Sequence, residues 1–190
     1  MRADHSVAEL ITVDRVQRFT SQIIVGIIAS ILISLVMAGM LLEVTPGRKV
    51  AWWLAAALLT SMLRLSVYLY YHRRGTTVES VRLQKNLLLL SLFFAGCMWG
   101  TAAIFLFPYN YIAHQVLLAF VLGGMVAGSV NIFASIMTSF YVFSIPTIVP
   151  LMAVLFSIGD RLHLAMGLML LIFVLFMARC SRSQIGRAHV

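Results

Sequence analysis

Carboxylates are scarce in this chain and absent from every long apolar run. Of 190 residues, six are Asp or Glu against fourteen Lys and Arg. All six acids (Asp4, Glu9, Asp14, Glu43, Glu79 and Asp160) fall outside those runs. Proton-coupled carriers and pumps generally need ionisable groups at membrane depth, carboxylates above all, so this lack argues against that class. Cysteine is limited to Cys97 and Cys180, neither placed to suggest a disulfide, and no Cys/His spacing fits a metal site. A phosphate-cradling Gly loop, a nucleophile elbow and paired carboxylates are also missing. No catalytic, cofactor-binding or metal-binding residue is therefore assigned, and no enzyme activity is expected within these residues.

What is present is apolar. Hydrophobic residues make up 62% of the chain and charged ones 11%, with a mean hydropathy of +0.99. Those values exclude an ordinary soluble domain. They predict an all-α polytopic membrane protein, a six-helix bundle with spans at 21–42, 51–71, 87–107, 112–130, 139–158 and 162–178. Residues 1–20 read as a cytoplasmic lead. They are not a secretory signal, because the next apolar run is too long and no small-x-small cleavage site comes after it. The last run is seventeen uncharged residues, about one membrane crossing at ~1.5 Å per residue. Residues 179–184 read as the start of a cytoplasmic linker. The closing 185–190 look like translated sequencing adapter, so the native chain is expected to continue differently.

The basic residues set the orientation. Arg2, Arg15, Arg18, Arg73, Arg74, Arg82, Lys85, Arg179 and Arg182 lie on the side of the two termini, against Arg48, Lys49 and Arg161 on the other. The positive-inside rule then puts both termini in the cytoplasm and the turns at 43–50, 108–111 and 159–161 outside. The net charge of +8 would suggest nucleic acid in a soluble protein. Here it gathers at helix ends, where it meets anionic headgroups, so the expected partner is the bilayer and not nucleic acid.

A few residues stand out within the spans. Gly26, Ser30, Ser34 and Ala38 recur every four residues, a small-residue ridge suited to close helix approach. Gly96 and Gly100, and again Gly124 and Gly128, have the G-x-x-x-G spacing and are expected at helix contacts. Pro146 and Pro150 sit four apart on one face of the fifth span, where a bend is expected. Trp52, Trp53, Tyr68, Tyr70 and Tyr71 fit two interfacial aromatic belts. Arg64 is the single charge inside a span. It either snorkels to the headgroups or, because helical side chains tilt toward the N-terminus and so away from them, turns inward to cross-link spans two, four and five. Tyr68, Asn131, Ser135 and Tyr141 are its candidate acceptors. His114 and His163 begin outer helix ends near Glu43 and Asp160, from which a periplasmic metal or pH sensor could be drawn, although interfacial histidines are common.

The pattern resembles the N-terminal membrane region of bacterial signalling proteins whose cytoplasmic part is a GGDEF diguanylate cyclase, often with an EAL domain, or a histidine kinase. The matching pieces are His72-Arg73-Arg74, Ala95-Gly96-Cys97-Met98-Trp99-Gly100, Phe120-Val121-Leu122-Gly123-Gly124-Met125, the two prolines, and the stretch from Gly159-Asp160-Arg161 through Met169. The resemblance implies an inner-membrane anchor and input module, acting as a homodimer, whose sixth helix runs on into an output domain. No catalytic residue of that family falls in this chain, and neither a cofactor nor a ligand is indicated. The competing readings are a self-contained transporter, disfavoured by the missing carboxylates, and a small membrane scaffold protein.

Overall fold

The computed structural model describes residues 24–74, 78–132 and 137–187. Six helices account for them: α1 (Ile24–Leu41), α2 (Gly47–Arg74), α3 (Val78–Phe105), α4 (Ile112–Ile132), α5 (Met137–Ile158) and α6 (Arg161–Arg187). Each is long and apolar enough to cross a membrane, and no strand occurs among the described residues. The chain is an all-α, multi-pass membrane bundle. The expected N-terminal lead lies outside the described residues, as do 133–136 of the connection at 131–138, whose ends belong to α4 and α5.

The short turns converge on one end. The α1–α2 turn and the α3–α4 turn together line a shallow hollow of about 220 Å³ between Thr45, Pro46, Phe107 and Tyr109. The α5–α6 turn joins them through His163, whose ring meets Gln115 near the start of α4. At the opposite end, Arg182 of α6 donates to the Tyr141 hydroxyl of α5 at 3.1 Å. The helices therefore run alternately up and down, with α1, α3 and α5 parallel.

At the centre is the pair α3 and α5, which share the most extensive contact among helices α2 to α6. More than half of the α3 span is buried, against 17% of α6, so α3 is the hub and α6 the most lipid-facing helix. The central pair packs closely for a reason written in both sequences. A Cβ built on Gly96 would lie 2.5 Å from the Phe143 carbonyl oxygen, and one on Gly100 would lie closer still to that of Pro146. Glycine spacing on α3 matches proline spacing on α5, four residues on each. Pro150 has no N–H to offer the Pro146 carbonyl, and the Gly100 backbone covers that oxygen instead. Thr147 adds a hydroxyl, donating to Phe143 O at 2.7 Å and reaching Gly96 O at 3.4 Å. With that support α5 remains one α-helix through both prolines.

Several expectations need correction. Residues 47–50 are not turn: Pro46 supplies its carbonyl to the Lys49 and Val50 amides and α2 starts at Gly47. The basic stretch after Arg73 is not a long loop, since α2 reaches Arg74 and α3 begins at Val78, well before its apolar run. Trp53 and Tyr68 do not join an aromatic belt. Both are buried, and Trp53 donates to Met98 O at 3.3 Å and meets Trp99 edge-on at 5.5 Å. Trp52 and Tyr70 do face outward. The ridge Gly26, Ser30, Ser34 and Ala38 is buried along its length.

Candidate functional site

Arg64 is the centre of the site. It lies in the second half of α2, about 26 Å from the Gly47 end and about 15 Å from the Arg74 end at helical rise. Only 4% of its surface is exposed, so it does not snorkel. Its side chain lines a cavity of about 100 Å³ bounded by α1, α2, α4 and α5, with Gly26 and Ser30 on α1, Gly124, Gly128 and Ser129 on α4, and Phe143 on α5. The expected cross-links are not made among the described residues. Tyr141 accepts from Arg182 instead. Asn131 and Ser135 as acceptors lie outside the described side chains. Taking a charge out of water costs several kcal/mol unless a partner offsets it, and within these spans no carboxylate can do so.

Gly124 and Gly128 are corrected together with Arg64. Their spacing suggested a helix contact, yet both are exposed and a Cβ on either meets nothing within 4 Å. Missing side chains on α4 and on α1 at Gly26 open the space that Arg64 borders. Gly96 and Gly100 lie elsewhere, at the α3–α5 crossing with Pro146 and Pro150. The six glycine and proline candidates thus divide between a packing seam and a cavity wall.

The turn end holds a second polar group. Gly159, at φ +74°, takes the left-handed conformation that ends α5. Asp160 then caps α6, its Oδ1 accepting the His163 amide at 2.7 Å and standing 2.6 Å from His163 Nδ1. The backbone bond from His163, with its ring next, holds the Asp160 carboxyl below the usual carboxylate range. The other ring nitrogen, Nε2, lies 2.7 Å from Gln115 Oε1. The Gln115 amide is oriented by its own donations to Pro108 O and Tyr109 O at 3.1 and 3.0 Å. Both ring nitrogens of His163 therefore have an oxygen within hydrogen-bond distance. His114 stands apart, its Nε2 4.0 Å from Glu43. The four suggested sensor residues form two pairs, and among the described residues no group of three or more His, Cys, Asp or Glu is placed to hold a metal. Gln115 was missed in the sequence, although an amide within an apolar run was a usable signal.

No family model, curated protein or solved structure matches this chain.

Proposed function

We propose that this chain is the membrane anchor and input module of a bacterial inner-membrane signalling protein, with both termini cytoplasmic and a homodimeric assembly. The output it regulates is a GGDEF diguanylate cyclase joined through α6, with a histidine kinase as the alternative output. The observation that carries this reading is α6 itself, one α-helix of 27 residues. That is about 40 Å of helix against a hydrocarbon core of about 30 Å. A displacement at the turn end, where His163 and Asp160 fix the start of α6, passes along such a rod without loss to a helical output connection. The resemblance of segments 95–100, 120–125 and 159–169 to membrane regions of that signalling class supports the same reading. So does the clustering of basic residues at the opposite end, which favours that end as cytoplasmic.

The test uses the native gene product, including all sequence encoded beyond codon 184. Purified and supplied with GTP, it forms cyclic di-GMP, and deleting the six spans changes the rate without abolishing the chemistry. A native locus that encodes neither a cyclase nor a kinase after α6 would overturn the proposal.

A further inference from the structure

We propose that the Arg64 cavity binds an oxyanion, a carboxylate or phosphate on an apolar body, supplied either by a membrane lipid or by a small free amphiphile. The inference is independent of any output domain joined to α6. Arginine keeps its charge at any physiological pH, and here the charge is more than nine-tenths buried. Among the described residues Arg64 has no ion pair and no hydrogen-bond acceptor, and the neighbouring hydroxyls turn their protons to their own helices. Ser61 donates to Ala57 O at 2.8 Å and Ser129 to Val126 O at 2.6 Å. Within the described structure this charge has an open demand for an acceptor, and the cavity it lines is where one would sit.

The space beside Arg64 has the dimensions for one. About 100 Å³ is several times the ~10–15 Å³ that a single water requires, enough for an anionic head and the start of a tail. Glycines at 26, 124 and 128 open the wall, and the walls at Gly124 and Gly128 have nothing within 4 Å of an added Cβ. Apart from Arg64 and the serines Ser30 and Ser129, the lining is apolar. A planar guanidinium offers two parallel N–H donors, which suits a carboxylate or phosphate, holds a neutral head far more weakly and repels a cationic one.

The protein is purified in a neutral detergent and titrated with octanoate and octyl phosphate, with octanol and octylamine as controls, and thermal unfolding is followed. Both anions should raise Tm saturably and the controls should not. Arg64→Met should weaken anion binding by about tenfold or more and should raise the Tm of the ligand-free protein, because it removes an unpaired buried charge. Gly128→Leu fills the cavity while keeping Arg64, and should abolish binding in a folded protein. Native mass spectrometry from phosphatidylcholine vesicles with and without phosphatidylglycerol identifies the source. Anionic lipid retained by the wild type and lost in Arg64→Met, and displaced by octyl phosphate, marks a lipid site; saturable octyl binding without retained lipid marks a free amphiphile. Equal anion binding in wild type and Arg64→Met, or no saturable anion binding and no retained anionic lipid in the wild type, would overturn the proposal.

Discussion

Gly100→Ala should destabilise the bundle, although a mid-helix Gly→Ala change normally stabilises by about 1 kcal/mol. The added methyl would enter the Pro146 carbonyl oxygen, a backbone atom that cannot rotate away, with the Pro150 ring 3.0 Å off. Relieving that contact means parting α3 from α5, the most extensively packed pair among α2 to α6. Overpacking of this kind costs about 1–3 kcal/mol and exceeds the propensity gain. For a domain of this size each kcal/mol corresponds to about 2–4 °C in Tm. Unfolding of the purified protein can be followed by tryptophan emission, because Trp99 is fully buried one residue away and pairs with Trp53. Gly39→Ala is the control, since its Cβ would meet nothing within 4 Å. A Gly100→Ala protein as stable as the wild type, with Gly39→Ala unchanged, would refute the argument that α3 and α5 touch backbone to backbone here.

The same geometry sets three more outcomes. Gly124→Ala should leave Tm unchanged or raise it by up to about 1 kcal/mol equivalent; a fall like that of Gly100→Ala would mean that α4 has a neighbour on that face. Gln115→Leu should cost about 1–3 kcal/mol in thermal unfolding, because it strands His163 Nε2 and two turn carbonyls. The Asp160 carboxyl has a native pKa below its unfolded value of about 3.9. Its contribution is therefore complete above that unfolded value and is lost as pH falls through the lower native one. The Tm gap between wild type and Asp160→Asn should then shrink on acidification below about pH 4, and a gap that widens there would contradict the sign.

Much of the architecture was legible because span number depends on composition and length, which a sequence carries directly. The depth of Arg64 was legible too, as a lone charge in an apolar run. What failed was the assignment of faces. α4 is apolar on nearly every side, so the spacing of Gly124 and Gly128 could not distinguish a wall of packed helix from a wall of empty space. Gly96 and Gly100 have the same spacing and lie against α5, where the prolines supply the matching grooves. At the basic side the helices run past the ends of the apolar runs. Charge marks where a helix leaves lipid, whereas the hydrogen-bonded helix continues past it, as α3 does from Val78. Trp53 was placed in an interfacial belt because indoles favour interfaces, but its N–H finds Met98 O inside the bundle.

The proposed topology crosses the membrane six times, with the three short turns outside and the start of α3 and the end of α6 in the cytoplasm. Single cysteines at Gly47, Asn110 and Thr76, in a background with Cys97 and Cys180 replaced by Ser, test this directly in intact cells. An impermeant maleimide should label the Gly47 and Asn110 positions from outside and reach the Thr76 position only after the membrane is opened. Strong labelling at Thr76 in intact cells, or none at Gly47 and Asn110, would contradict this topology.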